Sequence, residues 1–153
     1  MLFRSIDTNR SFAVVNGVRA KIFGIPGQKG HFYLCQGSGW TTPAPLWKSV
    51  DGGVTWASAN PNLTCVLMAG WGKTVAGASY PTLYVYGTCQ GTKGFFRSMD
   101  AGATWDKIAG QYLPDNYIFD YVKDIDGDKT TAGKVYMILG KNSLAYGVYT
   151  HKP

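Results

Sequence analysis

One eight-residue pattern occurs three times in this chain of 153 residues. Ser49-Val50-Asp51-Gly52-Gly53-Val54-Thr55-Trp56 returns as Ser98-Met99-Asp100-Ala101-Gly102-Ala103-Thr104-Trp105. A looser copy, Ser5-Ile6-Asp7-Thr8-Asn9-Arg10-Ser11-Phe12, lies near the start. Each octet follows an aromatic and a basic residue: Phe3-Arg4, Trp47-Lys48 and Phe96-Arg97. The starts are separated by 44 and then 49 residues. A period of about 40 to 50 residues is that of a four-stranded propeller blade.

The octet has the chemistry of a corner. A strand enters, the chain reverses, and a strand leaves carrying Thr and Trp. An Asp at the entrance accepts hydrogen bonds from backbone N–H groups ahead of it. Gly53, Gly102 and Asn9 occupy the places where a positive φ is expected. The closing Trp56, Trp105 or Phe12 folds its ring over the turn and joins the blade core. Ser5, Asp7, Ser49, Asp51, Thr55, Ser98, Asp100 and Thr104 are therefore read as turn staples. A catalytic acid has no reason to recur with the same turn partners.

Composition agrees with strands and turns. The chain holds 20 Gly, 10 Tyr, 7 Phe and 5 Trp, and its acidic residues are all Asp. The absence of Glu, a strong helix former, argues against a helical protein. No apolar run approaches the roughly 20 residues of a membrane helix, and Met1-Leu-Phe-Arg-Ser-Ile-Asp7 lacks the features of a signal peptide. The formal charge is +6, but Lys and Arg are scattered singly. The expected surface is basic and solvated, with neither a nucleic acid nor a membrane as partner. With His31 and His151 as the only histidines and no CxxC spacing, no metal or cofactor is expected.

The octet resembles the Asp-box, S-x-D-x-G-x-T-W, of sialidases, sortilin-type receptors and several glycoside hydrolases. A wider likeness is to the far C-terminal region of glycoside hydrolase family 74, the xyloglucanases. Gly70-Trp71-Gly72-Lys73 through Gly77 to Tyr80-Pro81 looks like that family's G-[FW]-G-K-x-x-x-G-x-x-Y-P segment. Leu83-Tyr84-Val85-Tyr86-Gly87-Thr88 then runs on to Gly94-Phe95-Phe96-Arg97-Ser98 and the octet. Gly133-Lys134-Val135-Tyr136 with Tyr146-Gly147 looks like the family's closing G-[RK]-V-Y … Y-G. The ordered set spans nearly the whole chain.

The resemblance implies an all-β fold of β-propeller blades, four-stranded antiparallel sheets whose third and fourth strands are joined by the octet. It divides the chain into a part-blade at 1–16, a blade at 19–58, a blade at 63–108 and an incomplete blade at 117–149. The expected strands are 19–24, 31–36, 45–49 and 54–58, then 63–71, 82–88, 93–98 and 103–108. The last blade takes 117–123, 133–139 and 143–149. Leu83 and Val85 alternate with Tyr84 and Tyr86, which suits a strand with two occupied faces. The result is an incomplete ring of about three to four blades, whereas closed rings have four to eight. Missing blades from a longer parent chain, a second chain or self-association are the expected partners.

Family 74 enzymes hydrolyse xylose-decorated β-1,4-glucans with a pair of carboxylates. In that family the pair comes from the start of each of two tandem propellers. No stretch here matches either motif, so no catalytic residue is assigned, and the isolated chain is expected to be inactive. The resemblance implies a polysaccharide ligand, xyloglucan or a related β-glucan, and a secreted, extracellular parent. It places the substrate-side loops at 36–46, 59–63, 89–94, 109–116 and 140–143. Trp40 and Tyr112 in those loops and Tyr117 just after one are candidates for stacking on sugar, with Gln36 and Gln90 as hydroxyl partners. Asp115 in those loops reads as a solvated Asp, and Asp124-Ile125-Asp126-Gly127-Asp128 as an exposed acidic hairpin turn. Cys65 and Cys89 sit at opposite ends of a hairpin, either as a disulfide or as two buried thiols. The rival function is an Asp-box binding or interaction module with no glycan role. A sialidase is close to excluded, because the chain has no Glu and only Arg4, Arg10, Arg19 and Arg97.

Overall fold

The computed structural model describes residues 20–37, 44–108, 122–139 and 144–148. They form three antiparallel sheets and no helix. The first has β1 (Lys21–Gly24), β2 (Phe32–Cys35), β3 (Trp47–Ser49) and β4 (Ala57–Ser58), in chain order. The second has β5 (Leu63–Gly72), β6 (Thr82–Cys89), β7 (Thr92–Ser98) and β8 (Asp106–Lys107), again in chain order. The third has β9 (Val122–Gly127), β10 (Lys134–Leu139) and β11 (Leu144–Val148). The expected all-β architecture of four-stranded antiparallel blades is what forms. The part-blade at 1–16, with Ser5, Asp7 and Phe12, lies outside the described residues.

The sheets stack face to face, with β5 beside both β1 and β9. Two hydrophobic clusters fill the seams. Tyr33, Cys35 and Leu46 of the first sheet meet Val66, Ala69, Leu83, Val85 and Phe96 of the second. On the other side Met68, Tyr84, Tyr86 and Phe95 meet Val122, Ile125 and Val135 of the third. The alternation along β6 thus sorts Leu83 and Val85 into one seam and Tyr84 and Tyr86 into the other. A strand buried on both faces reads as a near-continuous apolar run, and each fully buried aliphatic side chain contributes about 1.5–3 kcal/mol.

Glycines let the second and third sheets approach closely. A Cβ on Gly72 would meet Gly127 Cα at 2.9 Å, and one on Gly70 would meet Ile125 O at 2.5 Å. An ion pair reinforces the inner strands: Lys21 Nζ reaches Asp124 Oδ1 at 2.8 Å and Ile125 O at 3.0 Å. Lys21 lies on β1 and Asp124 on β9, so the pair links the first sheet to the third past the intervening β5.

One sequence expectation needs correction. Residues 124–127 are inner strand, not an exposed turn; only Asp128 is at the hairpin bend. There its Oδ1 accepts from Thr130 N, Thr130 Oγ1 and Thr131 N, and its Oδ2 from the Tyr136 hydroxyl. Those bonds, led by the Thr130 hydroxyl, hold the Asp128 carboxyl well below the usual carboxylate range. The described part of the inner strand opens at Val122, so the expected strand at 117–123 meets it only at 122–123. Asp124 and Asp126 are tolerated in this strand because their half-exposed carboxylates each find a lysine, which offsets their poor strand propensity. Asp126 Oδ1 accepts from Trp71 N at 3.1 Å and from Lys129 Nζ at 2.8 Å.

Of the two readings of the cysteines, the structure has the buried thiols: Cys35, Cys65 and Cys89 are buried and not joined in a disulfide. Leu63 pairs with Cys89 and Cys65 with Thr88, with a bulge between them. This register denies Cys65 and Cys89 the directly opposed positions a bridge needs.

Candidate functional site

The stack has two ends with different chemistry. At one end lie the octet corners. Ser49 Oγ donates to Asp51 Oδ1 at 2.8 Å and accepts from Gly53 N at 2.9 Å. Thr55 donates to Asp51 twice, from its N at 2.9 Å and its Oγ1 at 2.6 Å. Trp56 Nε1 closes the corner on Gly53 O at 3.0 Å. The second corner repeats each bond: Ser98 to Asp100 at 2.7 Å, Gly102 N to Ser98 at 2.9 Å, Thr104 Oγ1 to Asp100 at 2.5 Å, and Trp105 to Gly102 O at 3.0 Å.

These carboxylates are occupied by their own turns. The Thr55 hydroxyl, then the Thr55 N–H and the Ser49 hydroxyl, pull the Asp51 pKa down to about 2. At Asp100 burial pushes upward, but the bonds from Thr104 and Ser98 prevail and the pKa is lowered. Neither carboxylate is set up to carry a proton near neutrality. Each corner has two successive positive φ values, Gly52 79° and Gly53 90°, then Ala101 60° and Gly102 90°. Ala101 is a non-glycine residue in the left-handed region, which the sequence pattern did not reveal.

The second corner is also tied to the first sheet. Tyr33 Oη donates to Ala101 O at 2.9 Å, and Lys48 Nζ to the same oxygen at 3.1 Å. Asn60 Nδ2 donates to Ala103 O at 2.7 Å and lies 3.3 Å from Gly102 O. The Tyr33 hydroxyl is also 3.3 Å from that of Tyr80, which bonds His31 Nδ1 at 2.9 Å. Burial, reinforced by the Tyr80 bond, raises the Tyr33 pKa far above the usual phenol range. Tyr80 is thus part of the packed core between the first and second sheets. Trp71 is half-buried beneath Lys129, whose Nζ sits 3.6 Å from the ring centroid and donates to Trp71 O.

The opposite end carries the sugar-binding candidates that fall within the described residues. Gln36 follows β2, and its Oε1 accepts from Trp47 Nε1 at 3.4 Å. Gln90 is exposed at the tip of the β6–β7 hairpin with φ 50°, and its N donates to Asn62 O at 2.9 Å. Ala44 forms a parallel bridge to Cys65, which brings the β2–β3 connection onto the start of β5. Trp40, Tyr112, Tyr117 and Asp115 lie outside the described residues. Trp47 was read as the aromatic that precedes an octet; its ring edge in fact faces Gln36. The signal available was its place at the start of a strand, directly after a Gly, Thr and Pro loop.

Among the described residues no group of three or more His, Cys, Asp or Glu side chains gathers in metal-binding proximity. Asp106 faces the buried Arg97 at 3.6 Å, and Asp124 and Asp126 are engaged with Lys21 and Lys129.

The chain is similar in sequence to xyloglucanases. It is 32% identical over 127 residues to a xyloglucanase of Paenibacillus sp, an alignment covering 83% of this chain and 12% of that protein. It is 34% identical over 128 residues to the xyloglucanase Xgh74A of Acetivibrio thermocellus, covering 83% of this chain and 14% of that protein. No family model matches. The crystal structure of the Niastella koreensis GH74 enzyme superposes with a TM-score of 0.69 and 28% identity, over 82% of this chain and 17% of that one. The chain therefore spans only a small part of the relatives it resembles. It has the β-propeller blade fold of a GH74 enzyme segment and is xyloglucanase-like over most of its length.

Proposed function

We propose that this chain is a propeller segment that contributes a β-glucan-binding face, with xyloglucan as the preferred ligand class, and that it carries no catalytic carboxylate pair. The observation that carries the reading is the likeness to xyloglucanases over 83% of the chain. The octets act as Asp-box corners on the far side, and the end bearing Gln36, Trp47 and Gln90 meets the sugar. Half-exposed aromatic rings flanked by amide side chains suit a glucan, whose rings offer apolar faces and equatorial hydroxyls. The described aspartates are tied to turns or cations, which supports a role in binding rather than hydrolysis. Hydrolysis then belongs to a longer, secreted parent or to an assembly that supplies the remaining blades.

Titration of the purified chain with xyloglucan oligosaccharides, followed by tryptophan fluorescence, tests this. A saturable change with a dissociation constant near 1 mM, or about −4 kcal/mol, is expected, weakened by Gln36→Ala and Trp47→Ala. Absence of any change at several millimolar ligand favours an interaction module with no glycan role. Reducing-sugar release from xyloglucan by the isolated chain would overturn the non-catalytic part of the reading.

A further inference from the structure

Both octet corners are reached from one turn. Gly52 and Ala101 stand at the same place in the first and second octets, and both are left-handed. Ala101 bears a steric cost there that Gly52 does not. The turn between β1 and β2 serves each of them. Gly30 O accepts from Gly52 N at 3.0 Å. The next residue, His31, places Nδ1 2.9 Å from Tyr80 Oη. Tyr80 Oη is 3.3 Å from Tyr33 Oη, which is 2.9 Å from Ala101 O. His31 is fixed in the turn by its backbone: its N donates to Gln28 O and its O accepts from Ile25 N, both at 3.1 Å. A line of polar contacts thus runs from the first sheet's turn, through the β5–β6 connection, back into β2 and on to the second corner.

The supply of hydrogens gives that line a direction. A tyrosine hydroxyl carries one hydrogen and accepts others, whereas a carbonyl oxygen only accepts. The hydrogen in the 2.9 Å contact to Ala101 O is therefore Tyr33's. Lys48 Nζ, at 3.1 Å, donates to the same oxygen's other lone pair. With Tyr33's hydrogen committed, the one between the two hydroxyls is Tyr80's. Tyr80 then has none left for His31, so the 2.9 Å contact there takes its hydrogen from the imidazole Nδ1. The opposite assignment has a bare Nδ1 accepting from Tyr80. It leaves the oxygens of two buried tyrosines, 0% and 5% exposed, facing each other with no hydrogen between them, where a lost hydrogen bond weighs most.

We propose that His31 is fixed as its Nδ1–H tautomer and heads a one-way hydrogen-bond relay, His31 to Tyr80 to Tyr33 to Ala101 O, which ties the turn that holds the first octet corner to the second corner. His31 and Tyr80 act on that corner through Tyr33 and are positioning residues for it. The relay anchors the carbonyl of a left-handed alanine from the neighbouring blade, which offsets the steric cost of the corner's backbone. It is independent of any glycan role.

Two-bond proton–nitrogen NMR correlation of the nitrogen-labelled full chain, recorded where imidazoles are neutral, reads the tautomer directly. His151→Gln leaves His31 as the single imidazole. The expected pattern is a protonated Nδ1 and a bare Nε2; a bare Nδ1 overturns the proposal. Tyr33→Phe separates a relay from packing, because it keeps the ring and removes an oxygen one hydroxyl away from His31. Tyr80's hydrogen then has His31 Nδ1 as the acceptor at hand. The ratio of the Nδ1–H to the Nε2–H form should fall by about fivefold or more, the effect of one net hydrogen bond. Lys48→Met removes the other donor to Ala101 O and leaves the hydrogens of the three rings in place, so the ratio should hold. An unmoved ratio in Tyr33→Phe, or an equal fall in Lys48→Met, contradicts the relay. Amide exchange at one pH tests the tie to the second corner. Tyr80→Phe, whose hydroxyl meets neither corner, should speed exchange at Gly102 and Thr104 by about fivefold, with Gly53 and Thr55 unchanged. No change at Gly102 and Thr104, or the same change at both corners, contradicts it.

Discussion

Gly127→Ala tests how the blades are held together. A methyl on Gly127 would stand 2.5 Å from Gly72 Cα, 2.6 Å from Tyr84 Cε2 and 2.7 Å from Gly72 N. Carbon atoms rest at about 3.5–4.0 Å, so β9 must retreat from β5 by about 1 Å. Two of the three obstacles are backbone atoms and cannot turn aside. A gap of that size removes a quarter to a half of each dispersion contact across the seam. Val122, Ile125 and Val135 would lose contact with Met68 and Tyr84 together. Overpacking costs about 1–3 kcal/mol, and the shared seam places this variant at about 2–3 kcal/mol. Gly127 has no left-handed φ, so the cost is steric. Gly77→Ala is the control: nothing lies within 4 Å of its Cβ, but its φ is 83°, so its cost is conformational, about 1 kcal/mol. Urea unfolding followed by tryptophan fluorescence gives both values by linear extrapolation. A Gly127→Ala protein within about 0.5 kcal/mol of wild type, or one less affected than Gly77→Ala, refutes the close inner-strand seam.

Other consequences are open to direct measurement. Ile125→Ala should destabilise the chain by about 2–5 kcal/mol, because the side chain is buried between two sheets; the same urea titration reads it. Acid should loosen the octet corners: the Asp51 carboxyl falls from 3.8 to about 2 on folding. The stabilisation it supplies is complete above its unfolded pKa and is lost as pH falls through its folded pKa. The protection factor of the Thr55 amide, taken against the intrinsic exchange rate at each pH, should therefore fall between about pH 4 and pH 2, and a fall already at pH 6 would contradict it. Burial pushes the Cys35 thiol up to about 12. Native protein at pH 8 should then resist a thiol reagent at all three cysteines and react at all of them in urea; prompt labelling of Cys35 in the folded chain would show that the first seam is open.

Sequence made the blades legible because a corner is local. Ser, Asp, Gly, Thr and Trp at fixed offsets satisfy one another within eight residues, so their pattern survives in the chain as text. The two-faced β6 was equally clear, since Leu83 and Val85 alternate with Tyr84 and Tyr86. What escaped was interaction between blades. Nothing near Lys21 announces Asp124, 103 residues away, and the run 124–128 looks like a turn until Lys21, Lys129 and Trp71 N are found beside it. Cys65 and Cys89 left a bridge and two buried thiols both open, because hairpin arithmetic does not see the bulge that separates them. The carbonyl of Ala101, held by Tyr33 and Lys48, depends on a left-handed alanine that no propensity predicts. On the side opposite the corners, Trp47 was credited to the corner because its neighbour Lys48 belongs to it.

Backbone amide shift mapping by NMR, with a xyloglucan oligosaccharide added to the full chain, tests the functional account most directly. The account predicts saturable shifts at Gln36, Trp47, Asn62 and Gln90, and unmoved signals at Asp51, Thr55, Asp100 and Thr104. Shifts confined to the octet corners, or none at any site under several millimolar ligand, would contradict it.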